Sequence, residues 1–328
     1  LIGCVAIGDS AMNSTGTDAQ TGTIAIGQDA LTALTAGAGN VAIGYQSQAT
    51  CAHASAHFNT SLGYQTMSDG NSHFAGNTAI GYQSLKAITQ ADDNVALGRS
   101  SGLALTTGVQ NVFLGRDAGY ATTDVDNTVC IGYRAGYANM TDAADGTVAI
   151  GSSAGLSLTS GSGNVAIGYN ALVGHTTGSR NIAIGYGSMD GTAEDDSKTS
   201  TDNVFIGYDA GGGSWDDGAD GTDDSNSNVG IGNYVMDAAM DGALRNTGVG
   251  HNALSGITTG DNNTCMGENA GASLSTGTNN VFIGRRAGDG ASGCIANVGI
   301  GVSALTESAG NNCTAVGYLA VSYTHLTL

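Results

Sequence analysis

The five residues Asn40-Val41-Ala42-Ile43-Gly44 recur in varied form along the chain, and the same pentapeptide stands intact at residues 164–168. Aligning the copies on their last residue gives eighteen anchor glycines, and nine of the seventeen intervals between them are 17 residues long. A short fixed period is typical of solenoids, in which each repeat forms one coil that stacks on the next. The anchor glycines are Gly8, Gly27, Gly44, Gly63, Gly81, Gly98, Gly115, Gly132, Gly151, Gly168, Gly185, Gly207, Gly232, Gly250, Gly267, Gly284, Gly301 and Gly317.

The bulk composition indicates a folded but unusual protein. The 328 residues include 54 Gly and no Pro, 41% are hydrophobic, and the net charge is −19. The apolar content suffices for a core and excludes a disordered low-complexity chain. Only nine residues are Lys or Arg, which argues against nucleic acid as a partner. No apolar run reaches the length of a membrane span, so we expect no membrane insertion in this segment.

The repeat also sets the expected domain organisation. We predict one β-solenoid domain over residues 1–320 and a tail without repeats over residues 321–328. Because Leu1 lies in the middle of a repeat, we expect the chain to be one segment of a longer protein. Intervals longer than 17 residues predict inserted loops within residues 44–63, 185–207 and 207–232, and such insertions often form the binding edge of a solenoid.

Each repeat carries a predicted three-residue strand before its anchor glycine. The residue three before the glycine is Val, Ile or Thr in every copy, and the residue one before it is Ile, Leu, Val or Met. Such residues two positions apart share one face of a strand. We expect these pairs to stack from coil to coil and to dominate stability, at about 1.5–3 kcal/mol per buried side chain.

The residue between the pair is Ala, Phe, Gly, Cys or Ser and is never charged. A face open to water would carry Thr, Lys or Glu, so both faces of the strand should be covered. The simplest cover for the face that the coil does not enclose is a second copy of the chain around a symmetry axis. Our working interpretation hides the middle residue against this sister chain, although the residues leave open which face points to the axis.

Asparagine and glycine at the ends of the strand predict a structural ladder. The residue four before the anchor glycine is Asn in thirteen copies, where its amide can form a turn and bond to the next coil. The anchor glycine should form a corner with positive φ. The ladder residues that we single out are Asn40, Asn94, Asn111, Asn164, Asn181, Asn203, Asn263, Asn280, Asn297, Gly44, Gly98, Gly115, Gly168, Gly185 and Gly284.

The residue after the anchor glycine is Tyr in eight copies and Arg, Asp, Glu or His in others, so this position should reach solvent. The rest of each repeat predicts a second, shorter strand or an irregular segment, followed by a turn. Cys130 and Cys265 occupy the middle strand position, where we expect small buried thiols. Cys294 and Cys313 are about one coil apart, which leaves a disulfide between them open.

Four aromatic residues are candidate ligand contacts. Trp215, the single Trp, lies in an inserted loop, where it would form either a sugar platform or, the interpretation we favour, an anchor packed on the solenoid. Tyr169, Tyr186 and Tyr208 could stack on glycans, but cross-coil stacking on one another is the favoured alternative.

Two clusters contain metal-ligating residue types. Five aspartates in the third loop could hold calcium, although their spacing fits no known calcium loop and a solvated acidic loop is the favoured alternative. They are Asp216, Asp217, Asp220, Asp223 and Asp224. The stretch Cys51-x-His53-x3-His57 is favoured as a polar loop over a metal site. Apart from calcium we expect no cofactor.

The sequence Asn-Val-Ala-Ile-Gly-Tyr-x-Ala, followed by Thr-Thr-Gly, resembles the head repeats of YadA-type trimeric autotransporter adhesins. It is equally similar to repeat arrays of bacteriophage tail fibres. The resemblance covers about residues 1–320. It implies a left-handed parallel β-roll with one repeat per coil, three chains side by side, an extracellular location and a role in attachment. The adhesin repeat is shorter than 17 residues.

The leading hypothesis is therefore a non-enzymatic fibre segment, a homotrimer that attaches to a cell-surface glycan or receptor. It would form a rod of ~80–90 Å, at ~4.8 Å per coil. No catalytic motif is present in the sequence. A polysaccharide depolymerase would need paired carboxylates, for which Glu194 and the aspartates of residues 216–224 are the candidates. Ice binding is a minor alternative, suggested by Thr106, Thr107, Thr176, Thr177, Thr258 and Thr259.

Overall fold

The computed structural model describes residues 2–14, 20–51, 56–70, 73–191, 199–215, 224–307 and 310–321. The chain divides into two compact units, Leu1–Gly163 and Asn164–Leu328. Each unit is a parallel β-solenoid with nine strands, one per coil. One 3-10 turn, Asp142–Ala144, is the single helical element in the described ranges.

All strands occupy the three positions before an anchor glycine, as predicted. Within each unit every strand pairs in parallel with the next, in a register that matches equivalent residues, such as Val95 with Val112 and Leu97 with Leu114. The all-β, parallel solenoid class is thereby confirmed. The strands are β1 Val5–Ile7, β2 Ile24–Ile26, β3 Val41–Ile43, β4 Thr60–Leu62, β5 Thr78–Ile80, β6 Val95–Leu97, β7 Val112–Leu114, β8 Val129–Ile131, β9 Val148–Ile150, β10 Val165–Ile167, β11 Ile182–Ile184, β12 Val204–Ile206, β13 Val229–Ile231, β14 Thr247–Val249, β15 Thr264–Met266, β16 Val281–Ile283, β17 Val298–Ile300 and β18 Thr314–Val316.

In the structure, the two faces of the strand have environments opposite to those of our working interpretation. From β2 to β18 the middle residue is buried, whereas its two aliphatic neighbours are half-buried or exposed, as in Val95, Ala96 and Leu97. The middle residue therefore fills the inside of the coil without a sister chain. The expectation that it is hidden by a second copy is wrong, because the middle residue points into the coil of its own chain and the aliphatic pair points outward.

The interior is filled by the middle strand residue together with the residue four after the anchor glycine. Where the middle residue is Phe, the second position is Gly, and a Cβ on Gly211 would lie 2.9 Å from the Phe205 ring. Where the middle residue is Gly, as at Gly248, the second position is large, here Leu254. The two positions share one volume, so each coil reaches close packing with a different pair.

The asparagine ladder forms as predicted. Asn94 donates its side-chain amide to Asn77 Oδ1 at 3.0 Å and to the Gly108 carbonyl at 2.9 Å. Its own Oδ1 accepts hydrogen bonds from the Asn111 backbone N–H and side-chain amide, at 2.9 and 3.0 Å. All thirteen ladder asparagines are buried, and their hydrogen bonds satisfy amides that would otherwise be costly to bury.

The remainder of each coil is an irregular segment rather than a second strand. Outside the named strands, the described ranges contain two isolated β-bridges, which join Ile2 to Thr21 and Thr278 to Ile295. The backbone is held instead by coil-to-coil hydrogen bonds at alternate residues, for example from Leu85 N–H to Ser101 O and from Ala87 N–H to Leu103 O. Residues two and four after the anchor glycine adopt positive φ even where they are not glycine, as in Gln83 and Leu85.

Candidate binding surface

The outer faces of the strands form an aliphatic strip on each unit. It consists of the residues three and one before each anchor glycine, and no member is charged. Leu97, Ile231 and Ile300 are each about 40% exposed, at 38, 41 and 38%. Nine coils at ~4.8 Å and a strand of ~10 Å give each unit a footprint on the order of 400 Å². A patch of a few hundred Å² is about the largest that a soluble monomer exposes, and such a patch is often functional.

Tyrosines line one margin of the strip. The rings of Tyr64 and Tyr82 stack with centroids 5.3 Å apart and planes at 7°. In the second unit, Tyr169 stacks on Tyr186 at 4.9 Å, and Tyr186 on Tyr208 at 5.2 Å. These rings are exposed at their edges, as predicted for a position that reaches solvent.

This stacking limits how the tyrosines could contact a glycan. Each ring face covers the face of the next ring along the solenoid, so Tyr186 has no free face on which a sugar could stack. The arrangement matches the favoured alternative, in which the tyrosine column stabilises the coils through offset aromatic pairs. Ring edges and phenol groups remain available for polar contacts.

Trp215 lies inside the second unit and is 1% exposed. Its indole N–H donates to the Gly211 carbonyl at 2.7 Å, and its ring meets Phe205 and His175 edge-on, with centroids 5.6 and 5.4 Å apart. These contacts fit the loop anchor and leave no open ring face for a sugar. Sequence reasoning kept both interpretations because an aromatic residue beside glycines and aspartates is typical of either.

The structure describes only part of the two metal candidates. Asp216, Asp217, Asp220 and Asp223 lie outside the described residues, as does the depolymerase candidate Glu194; Asp224 accepts a hydrogen bond from the Thr199 hydroxyl. His53 is also outside them. Among the residues that are described, no group of three or more His, Cys, Asp or Glu side chains is placed to hold a metal ion.

The neighbours of His53 have structural contacts. His57 accepts a hydrogen bond at Nδ1 from the Ala38 backbone N–H at 2.9 Å. Burial raises the pKa of the Cys51 thiol to about 12, so this side chain is protonated at neutral pH. Both observations fit the polar loop that the sequence favours.

All six cysteines are free thiols, including Cys294 and Cys313, for which the sequence left a disulfide open. Cys130 and Cys265 are buried in the middle strand position as predicted. Burial raises the pKa of Cys130 to about 12 and that of Cys265 further. These thiols therefore act as small apolar side chains of the interior.

Two carboxylates converge at the turn after β11. A Cβ on Gly187 would lie 3.1 Å from Asp190 Oδ2 and 3.4 Å from Asp209 Oδ1. Burial, together with the charge of Asp209, raises the pKa of Asp190 to about 6, and burial with the same neighbour also raises the pKa of Asp237. The sequence did not indicate this cluster, because its members come from three coils and Asp209 occupies a different repeat position from Asp190 and Asp237.

We expect Asp190→Asn to stabilise the second unit at neutral pH. A carboxyl whose pKa is raised in the folded state binds its proton more tightly there, so its ionised form opposes folding above that pKa. The melting temperature of the variant should exceed that of the parent at pH 7.5, and the difference should fade as the pH falls through about 6 and vanish below the ordinary pKa of ~3.9. Melting curves between pH 3.5 and 8 measure it.

Asp202→Asn is the matched control for this prediction. The hydrogen bond from Arg180 lowers the pKa of Asp202, and the guanidinium Nε lies 2.6 Å from its carboxylate. This substitution should therefore lower the melting temperature at neutral pH, and its effect should fade on acidification. The same sign for both variants would contradict the assignment.

No protein-family model matches this chain, and no curated protein matches it in a sequence search. In the described part of the structure, no helix is long and apolar enough to cross a membrane.

Proposed function

We propose that this chain is a structural and adhesive segment of an extracellular fibre, in which three copies associate through their aliphatic strips. The observation that carries the proposal is the outward orientation of the branched pair in every coil, which leaves residues such as Leu97 and Ile231 about 40% exposed, at 38 and 41%. A solenoid needs no branched residues on a face that meets water, so their recurrence favours a permanent cover. A second copy presents the same strip over the same length.

The outward orientation of the aliphatic pair also supports the role as a fibre. A solenoid is elongated by construction, because every coil contacts only its neighbours. With the aliphatic strip covered by sister chains, the inserted loops and the acidic outer surface are left to meet a cell-surface glycan or receptor. We propose attachment as the activity of this fibre and assign it no catalytic reaction or cofactor. The resemblance to adhesin heads and phage tail fibres supports the same conclusion.

The mass of the particle in solution tests the association. Multi-angle light scattering should give three times the chain mass of 32.3 kDa. The double variant Leu97→Glu/Leu114→Glu places two carboxylates in the strip, and we expect it to be monomeric, because burying unpaired charges costs several kcal/mol.

A matched control places the same two substitutions on leucines outside the strip. Leu103 and Leu156 are half-buried, and each lies five residues after an anchor glycine. Leu103→Glu/Leu156→Glu should retain the mass of the parent. A parent chain that stays monomeric at high concentration would refute the association.

Attachment is tested separately with the fluorescently labelled parent particle on panels of bacterial and eukaryotic cells. Binding that is lost after periodate oxidation of surface sugars would identify a glycan, and binding lost after protease treatment a protein receptor. A particle that binds none of the cells would count against the adhesive role while leaving the structural one.

A further inference from the structure

In the coils of β6 to β9 of the first unit, eight of the ten charged residues lie on the two margins of the aliphatic strip, and only Asp124 and Asp142 lie elsewhere. We call the positions one and two after the anchor glycine the glycine edge, and the positions five and six before it the asparagine edge. The charged residues of the glycine edge in these coils are three arginines and one aspartate, whereas those of the asparagine edge are four aspartates. The arginines are Arg99, Arg116 and Arg134, and the aspartates of the asparagine edge are Asp92, Asp93, Asp126 and Asp145.

The same restriction holds for arginine throughout the chain. All seven arginines lie on one of the two edges, including Arg180 and Arg245 on the asparagine edge and Arg285 and Arg286 on the glycine edge. Arginine is enriched at protein interfaces. The outer turns of the 17-residue coils also have many exposed positions. If the arginines served only solubility, some of them would lie there as well.

The arginines of the first unit are held in place by tyrosine rings. The Arg99 guanidinium lies 5.8 Å from the ring centre of Tyr82, and that of Arg134 lies 4.9 Å from Tyr137. Arg116 pairs with Asp117 at 3.1 Å, whereas neither Arg99 nor Arg134 forms an ion pair with a carboxylate of the described residues. Two ordered guanidinium groups are thus available to a partner.

The aspartates of the asparagine edge have an intramolecular bond that does not require their charge. Asp126 Oδ1 accepts a hydrogen bond from the Val109 backbone N–H at 2.7 Å. In another coil Asn311 makes the equivalent bond, to Ile295 N–H at 2.9 Å. Neutral asparagine therefore suffices for the local structure. The pKa of Asp145 is raised by burial and by neighbouring aspartates such as Asp126, so the acidic edge is crowded within a single chain.

Symmetry determines which edges meet when strips pack face to face. Two kinds of rotation axis can run parallel to the stacking direction of the coils. A twofold axis reverses the strand direction of the partner, and a threefold axis turns it by a third of a circle. Either rotation brings the glycine edge of one copy against the asparagine edge of the next at the same coil. An axis parallel to the strands would instead place like edges together and reverse the order of the coils.

We propose that the arginines of the glycine edge in one copy pair with the aspartates of the asparagine edge in the next copy, and that these pairs set a parallel, in-register assembly. The inference rests on the association under Proposed function and adds its orientation and register. The partner is a second copy of this chain. Charge pairs at the rim of an interface fix register and suppress wrong pairings more than they add affinity.

The test is a charge swap in the full chain. Variant one is Arg99→Asp/Arg134→Asp, which replaces the two arginines without an ion pair, and Asp9 and Asp117 already occupy the same two positions in other coils. Variant two is Asp93→Arg/Asn127→Arg, in positions where Arg180 adopts the φ of 57° that Asp93 and Asn127 share within a few degrees. In the coils of β6 to β9 the charged residues of the glycine edge sum to +2 and those of the asparagine edge to −4. Variant one changes the glycine edge to −2 and variant two changes the asparagine edge to −1, so each variant weakens the attraction between the edges. The combined variant sets the introduced arginines against the introduced aspartates in the coils of β6 and β8.

We expect variants one and two each to raise the dissociation constant of the oligomer at least about tenfold at 50 mM NaCl. At 500 mM NaCl the difference should narrow, since exposed charges are then screened within a few ångströms. The combined variant should return to within about threefold of the parent. Sedimentation velocity over a dilution series gives the constants, and circular dichroism verifies that each variant is folded.

Lys86→Glu is the control, because Lys86 lies five after its anchor glycine and off both edges, where it pairs with Asp69 at 3.5 Å. It should leave the dissociation constant unchanged. Reversal variants that associate as the parent does would overturn the edge pairing while the fibre proposal stands. A failure of the combined variant to recover would also overturn it and would point to another ligand for the arginines. A monomeric parent would remove both proposals.

Discussion

Gly267→Ala is expected to destabilise the second unit by several kcal/mol, and Gly317→Ala by much less. Gly267 has φ 134°, and a Cβ there would lie 2.6 Å from the carbonyl oxygen of Gly284, the anchor glycine of the next coil. A strained backbone of this kind costs about 1–3 kcal/mol for a residue other than glycine. The overlap adds to that cost, because the obstructing atom belongs to a backbone that is hydrogen-bonded on both sides.

Gly317 separates the two causes. It has the same φ of 134°, but the nearest atom to its Cβ would be Ala320 Cβ at 3.9 Å. Gly317→Ala therefore carries the backbone strain without the overlap. Urea unfolding of both variants, followed by circular dichroism, measures the difference. Equal losses at the two positions would show that φ alone selects glycine and that the close approach of the coils has no part in it.

The anchor glycines illustrate how far the sequence predicts this fold. Their period located every strand to the residue, as for Val95–Leu97 before Gly98, because a three-residue strand between a turn-forming Asn and a Gly has no room to shift. The amide ladder followed from the same column. Only one of the two reasons for glycine at this position was predictable. A positive φ is expected at a corner, whereas the close contact between the anchor glycines of successive coils became apparent only in the structure.

The orientation of the strand could not be taken from hydrophobicity. Branched residues at two positions and Ala at the third suggest that the larger side chains are inside, and the reverse is true. A signal for the correct answer was nevertheless in the sequence. Phe113 and Phe205 are each followed by Gly four residues after the anchor glycine, whereas Gly248 is followed by Leu254. Complementary sizes at two positions of one coil indicate a shared interior.

The candidate surface was predictable in kind but not in arrangement. The sequence indicated that a second copy should cover one face and that the tyrosines should reach solvent. It also favoured the stacking of Tyr169, Tyr186 and Tyr208 on one another. It did not reveal that Asp190 and Asp209 converge, because that contact depends on the coil-to-coil register across an inserted loop. The packed position of Trp215 was the interpretation that the sequence favoured, but its contacts with Phe205 of its own coil and His175 of another coil were not predictable.

Asn94→Asp is expected to be among the most damaging single substitutions in the first unit, although it changes one amide nitrogen to oxygen. Asn94 is fully buried, and its amide donates to Asn77 Oδ1, to the Asp92 carbonyl at 3.1 Å and to the Gly108 carbonyl. A carboxylate would face three acceptors without a proton to donate and would be ionised in the interior. Such a group costs about 3 kcal/mol or more, and its pKa rises accordingly.

The companion variants Asn94→Thr and Asn94→Ala test this explanation by their order. The chain itself places Thr128 in the ladder column, where its backbone N–H still donates to Asn111 Oδ1 at 2.9 Å and its hydroxyl donates to the Asp126 carbonyl at 3.1 Å. We therefore expect Asn94→Thr to lower the free energy of unfolding least. Asn94→Ala should lower it more, because Ala leaves the acceptors unpaired, at about 1–3 kcal/mol. At pH 7 Asp should cost most. Lowering the pH should restore part of the loss for Asp alone, since the protonated carboxyl regains one donor. Urea unfolding at pH 5 and pH 7 measures all three, and a pH-independent loss for Asn94→Asp would show that the ladder acts through packing rather than through its hydrogen bonds.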